Sequence, residues 1–196
     1  MKKIMLLMPA AILFINCGAE ENIDDYHPLA VGHQWEYAVT HQTDTTVNDG
    51  VQTSTITAEV SSPQGLLHEQ VTSTTWDDTS TSAWLDTSYL QEKDGNVLFY
   101  SDLNDQEPDT LLVLPLALGN TWTVRTEPWG DMTGEAVGTE DVTLPAGTFT
   151  ECWHVEYTGL NATGHSWFAP NVGLVKHHSI STTSEFLKEL MVFNRR

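Results

Sequence analysis

Period-two alternation runs through this chain and leaves little room for anything but β-structure. Ile56, Ala58 and Val60 fall on one side of a run whose other side is Thr57 and Glu59. Ala83, Leu85, Thr87 and Tyr89 repeat the pattern, as do Trp153, Val155 and Tyr157. Successive side chains of a strand point to opposite faces, so such runs bury one face and solvate the other. The composition agrees: 26 of the 196 residues are threonine and seven are tryptophan, and β-branched and aromatic side chains suit a pleated surface. Turn residues punctuate the runs at Asn48-Asp49-Gly50, Ser62-Pro63-Gln64-Gly65, Asp94-Gly95-Asn96, Pro145-Ala146-Gly147 and Pro170-Asn171-Val172-Gly173. Spacings of roughly 10 to 20 residues predict a meander of hairpins. No long amphipathic helix is visible. The stretch 184–193 fits a helical face through Phe186, Leu187, Leu190 and Phe193, or a final strand with Leu190 and Val192 on one side; the strand is preferred. About ten strands laid flat would expose adhesive edges. The expectation is therefore all-β, an antiparallel meander forming a strongly curled sheet or incomplete barrel, with a two-layer β-sandwich as the alternative.

Two segments share the pattern PLAxGxxW: Pro28-Leu29-Ala30-Val31-Gly32-His33-Gln34-Trp35 and Pro115-Leu116-Ala117-Leu118-Gly119-Asn120-Thr121-Trp122. In each, proline interrupts pairing, Gly32 or Gly119 permits a tight turn, and Trp35 or Trp122 opens the next strand as a core plug. The pair fits an internal duplication or one corner used twice. With Val142-Thr143-Leu144-Pro145-Ala146-Gly147-Thr148-Phe149 and Trp167-Phe168-Ala169-Pro170-Asn171-Val172-Gly173-Leu174-Val175-Lys176 they form a series. It resembles a widespread group of uncharacterised bacterial exported proteins and lipoproteins with PLxxGxxW, VxxPAGTF and APxVGLVK blocks. The resemblance covers most of residues 28–176 and implies an exported β protein. No catalytic residues are established for that group, so none carry over.

Met1-Lys2-Lys3, an apolar run over 4–15 and Asn16-Cys17-Gly18 have the layout of a secretory signal peptide. The run is shorter than the ~20 residues that span a bilayer, and Pro9 interrupts it. Because it ends directly at Cys17, the segment resembles a bacterial lipoprotein signal, whose cysteine is acylated and becomes the first mature residue. Phe14 and Asn16 stand where that family usually has Leu and Gly or Ala. The resemblance implies a signal peptide over 1–16, a lipid on Cys17 and attachment to a membrane. Gly18, in place of Asp after the cysteine, implies the outer membrane. The alternative is ordinary cleavage near Cys17 or Ala19, giving a soluble periplasmic or secreted protein. Residues 17–26 carry Glu20, Glu21, Asp24 and Asp25 and read as a solvated acidic tether. Residues 27–194 read as a single antiparallel β domain.

Acidic residues outnumber basic ones 27 to 8, for a net charge of −19. That excludes nucleic acid as a partner and adhesion to anionic membranes through a basic patch. Hydrophobic residues at 40% against 18% charged separate the chain from a disordered acidic tail. No GxSxG, Walker loop, dinucleotide fingerprint, HExxH or CxxC occurs. The candidate metal set is Cys152, His154 and Glu156, whose i, i+2, i+4 spacing puts them on one strand face. His165, His177 or His178 would complete it from neighbouring strands. Adjacent His177 and His178 should point to opposite faces. Cys152, flanked by Glu151, His154 and Glu156, otherwise reads as a buried structural thiol. The run 102–109 gathers four carboxylates without EF-hand spacing and reads as a solvated loop. Trp76, Trp84 or Trp129, if exposed, would suit a carbohydrate-binding face, whereas Trp35, Trp122 and Trp153 read as structural. No cofactor is expected. The favoured reading is a non-enzymatic, membrane-tethered binding or structural domain for an apolar ligand or an envelope protein. A metal-dependent envelope enzyme and a carbohydrate-binding module are the alternatives.

Overall fold

The computed structural model describes residues 25–78, 83–128 and 130–195. The signal segment, Cys17, most of the acidic tether and Trp129 lie outside these residues. Twelve strands follow one another: β1 (Gln34–Thr43), β2 (Val47–Ser62), β3 (Gly65–Trp76), β4 (Trp84–Lys93), β5 (Asn96–Tyr100), β6 (Asp109–Val113), β7 (Thr121–Arg125), β8 (Met132–Leu144), β9 (Gly147–Thr158), β10 (Ala162–Ala169), β11 (Gly173–Ser181) and β12 (Ser184–Asn194). All join one sheet in the order β6-β5-β4-β3-β2-β1-β12-β11-β10-β9-β8-β7. No helix occurs among the described residues. Consecutive strands pair as antiparallel hairpins, and β1 pairs with β12 from Gln34 opposite Asn194 to Thr43 opposite Ser184. That ladder curls the meander into a nearly closed barrel with one seam, between β6 and β7.

Side chains bridge the seam. The Trp122 indole donates to the Thr110 carbonyl at 3.0 Å, the Tyr157 hydroxyl donates to the Leu111 carbonyl at 2.9 Å, and Arg125 meets Asp109 at 3.2 Å. Unpaired carbonyls on a sheet edge template aggregation; here two of them are occupied from within. The incomplete barrel is thus the architecture formed, and the sandwich is not. Twelve strands replace the expected ten or so, because β6 and β7, five residues each, are too short to alternate visibly. The stretch 184–193 is strand, as preferred.

The two PLAxGxxW segments build the same corner. Gly32 and Gly119 have φ of 96° and 78°, the left-handed region that glycine enters freely. Gly32 N donates to Ile56 O and Gly119 N to Ala136 O, both at 2.8 Å. His33 N reaches Ala30 O at 3.1 Å, and Asn120 N reaches Ala117 O at 3.0 Å. The return bonds match too: Ile56 N to His33 O at 3.0 Å, Ala136 N to Asn120 O at 2.9 Å. Each corner opens six strands, β1–β6 or β7–β12, and buries its tryptophan, Trp35 at 4% and Trp122 at 9% exposure. Trp35 also donates to the Val172 carbonyl at 2.7 Å, which ties the first corner to the turn at 170–173.

The β8–β9 hairpin is bent. Its register shifts at Ala136/Gly138 and Glu140/Val142, and Glu151 takes φ 55°; bulges of this kind sharpen strand twist. The bend brings Ala146 N to the Leu190 carbonyl at 3.1 Å. Val142, Leu144 and Cys152 thereby enter the same buried cluster as Tyr37, Val39 and Leu190.

Candidate functional site

The curl leaves space inside. Two adjoining lobes of about 240 Å³ and 390 Å³ share His27, Leu111, Leu174 and Lys188 in their walls. The first is bounded further by Trp35, Tyr37, Leu90 and Phe99. The second runs along Met132, Tyr157, Phe168 and Phe186. Apolar walls with a few placed polar groups are the usual make-up of a small-molecule site.

Lys188 is the most unusual of those groups. It stands on β12 opposite Val39 of β1 and His177 of β11, with Nζ 4.1 Å from the centre of the Tyr37 ring. Among the described residues no carboxylate lies within 4 Å of it, whereas Lys176 on the adjoining strand meets Glu189 at 3.1 Å. Burial lowers Lys188 to about 8, so it remains an ammonium at neutral pH. His177 shares a 2.8 Å hydrogen bond between Nδ1 and the Ser166 hydroxyl. Burial, then Lys188 and the neighbouring histidines, lower it to about 4. Burial also lowers His27 to about 4, against the pull of Asp25, and its Nδ1 is buried without a hydrogen-bond partner. The Tyr37 and Tyr157 hydroxyls, pushed upward by burial, donate to the Leu174 and Leu111 carbonyls, each at 2.9 Å. In the second lobe Asp109 shares Arg125 with Glu127, at 3.2 and 2.8 Å. Burial raises Asp109, and Arg125 opposes the shift. Of the charged residues lining the lobes, Lys188 is thus the one with no oppositely charged group among the described residues within 4 Å.

The metal candidates lie elsewhere. Cys152 is fully buried, its thiol 3.5 Å from the Phe149 carbonyl and raised by burial to about 11. His154 stacks on Trp167 with ring centres 4.6 Å apart, and its Nε2 is 3.0 Å from His165 Nδ1. Glu140 accepts the Trp167 indole hydrogen at 2.5 Å and lies 3.7 Å from His154 Nδ1. Glu156 meets Thr158 at 3.5 Å. His154 and His165 therefore come together, with Glu156 opposite His165 across the β9–β10 pair, while the Cys152 thiol is turned to the Phe149 carbonyl. Among the described residues no three His, Cys, Asp or Glu side chains are placed to hold a metal. His177 and His178 do point apart, one to Ser166 and the other to Glu185 at 2.7 Å. In the acidic loop Asp102 accepts from Asn104 N, while Asp105 accepts from Ser101 and Glu107 N, so both carboxylates are turned onto their own backbone.

Of the tryptophans, Trp84 is 71% exposed, Trp76 is half-buried against the core, and Trp153 is half-buried. No second exposed indole lies among the described residues to extend a sugar-stacking face. Sequence reasoning missed Lys188. The signal was present, since a strand over 184–193 puts Lys188 on one face between Phe186 and Leu190, an ammonium in an apolar row.

Comparison with protein-family models finds no match, and comparison with curated proteins finds none. Two solved structures share the fold. One is a protein of inferred export with a YmcC-like fold from Bacteroides fragilis NCTC 9343. It has 16% identity and a TM-score of 0.55 over 88% of this chain and the whole of that one. The other is an inferred lipoprotein from Parabacteroides distasonis ATCC 8503. It has 14% identity and a TM-score of 0.50 over 89% of this chain and the whole of that one.

Proposed function

We propose that this chain is an exported, lipid-anchored protein of the bacterial envelope whose β domain binds a small apolar ligand in its interior. The observation that carries the reading is the pair of adjoining lobes walled by Tyr37, Leu90, Phe99, Tyr157, Phe168 and Phe186. A small barrel fills its middle with side chains or holds one ligand, and this one keeps room. Binding is favoured over catalysis because the interior hydroxyls are taken up by structure: Tyr37 and Tyr157 on carbonyls, Ser166 on His177. Export and anchoring rest on the layout of residues 1–18. They are supported by the descriptions of the two fold neighbours, one an inferred exported protein and one an inferred lipoprotein. Gly18 favours the outer membrane.

The ligand reading is tested with the neutral apolar fluorophore N-phenyl-1-naphthylamine. Saturable binding is expected, weakened about tenfold by Leu111→Trp or Leu174→Trp, which place an indole in the wall between the lobes. Unsaturable binding, or binding indifferent to both folded variants, would overturn it. Anchoring is tested by the intact mass of the membrane-extracted protein. An acylated start at Cys17 is expected, and an unmodified start downstream would refute it.

A further inference from the structure

An ammonium in an apolar interior needs a reason. The chain carries 27 carboxylates, and none of the described ones is placed on Lys188. Lys188 is half-buried, and a charge drawn partly out of water without a counter-charge carries a cost that an apolar residue of similar size would not. The groups facing it from each neighbouring element are uncharged at neutral pH: Tyr37 of β1, His177 of β11 and His27 of the lead-in. The Asp109 and Glu127 carboxylates share Arg125, at 3.2 and 2.8 Å, and neither lies within 4 Å of Lys188.

We infer that the interior takes a single-chain amphiphile with one anionic head, in chemical class a long-chain carboxylate, its head on Lys188 Nζ and its chain along the apolar lobes. The inference rests on the apolar-ligand reading above and names the chemistry of that ligand. A wholly apolar occupant would shut the ammonium off from solvent and give nothing back. A carboxylate returns a charge-assisted hydrogen bond, among the strongest available in a protein interior. One negative charge is the right number, because His27 and His177 stay neutral and would not balance a second. Lys188 lies in the walls of both lobes, so a head bound there leaves the chain apolar surface made by Met132, Tyr157, Phe168 and Phe186.

The test titrates the full-length protein at neutral pH with dodecanoate and dodecan-1-ol, which share a chain and differ in the head. Dodecanoate is expected to bind about tenfold or more tightly than the alcohol, the range of a charged hydrogen bond. Lys188→Arg should keep that preference. Lys188→Met should bring the ratio to about one. Raising the pH towards 10 should erode the preference in the wild type as the ammonium is lost. Equal affinities in the wild type, or a preference that survives Lys188→Met, would overturn the head-group assignment and leave the apolar-ligand reading standing. Binding of neither compound would overturn both. Should Lys188→Met fail to fold by circular dichroism, the pH series decides, and a preference unmoved between neutral pH and 10 overturns the inference.

Discussion

His27 and His177 sit in the interior as neutral rings, and protons should act on the fold through them. Burial holds both near 4 in the folded protein, while an unfolded histidine titrates at about 6.5. Between those values the unfolded chain binds more protons, so stability falls as pH falls. The contribution is whole above about 6.5 and gone below about 4. His154, lowered first by burial and then by His165, adds the same sign. Allowing for partial exposure, each interior ring is worth about 2 kcal/mol across the window. Urea unfolding at a series of pH values should therefore show a slope that His27→Gln combined with His177→Gln flattens. An identical slope in the double variant would show that these rings are already hydrated. The same residue scale shows what a sequence can display. Alternation placed His177 and His178 on opposite faces because that rule needs only one strand. The same rule puts Cys152, His154 and Glu156 on one face, but which of them is covered depends on the bend of the β8–β9 hairpin, which packs Cys152 into the core.

At the scale of elements, the two corners and the seam differ in how local they are. The PLAxGxxW corners close on themselves within four residues, through His33 to Ala30 and Asn120 to Ala117, so their motif is readable along the chain. The seam joins β6 and β7 through side chains, with no ladder, and nothing in either five-residue strand announces it. Its unexpected component is Gly134. A Cβ there would lie 2.5 Å from the Trp122 ring, and that indole also donates across the seam to Thr110. Gly134→Ala must displace the ring, losing packing and the bridge together, at a cost of about 2–4 kcal/mol. Gly119→Ala, with open space but φ of 78°, should cost only about 1–2 kcal/mol of backbone strain. Denaturant midpoints should rank the two in that order. A Gly134→Ala protein as stable as the wild type would mean that Trp122 does not close the barrel.

On the whole molecule the charge of −19 opposes the proposed ligand, and the two effects separate by distance. Most carboxylates lie on turns and outward faces, and repulsion among them is screened over ~30 Å at 0.01 M salt and ~8 Å at 0.15 M. Adding salt over that range should raise stability by about 1 kcal/mol, ~3 °C in Tm. A melting temperature flat in salt would mean that the surface charges are already dispersed beyond one another's reach. An approaching anion meets the same field from outside, so the association rate of dodecanoate should rise with salt. Once its head is on Lys188, low-dielectric walls surround the pair, and mobile ions do not enter between the charges. The dissociation rate should then stay nearly constant while the association rate climbs, and affinity should improve with salt. Stopped-flow measurements separate the rates. A dissociation rate that accelerates with salt would place the head at an exposed cation on the rim, because only a solvated ion pair is weakened in that way.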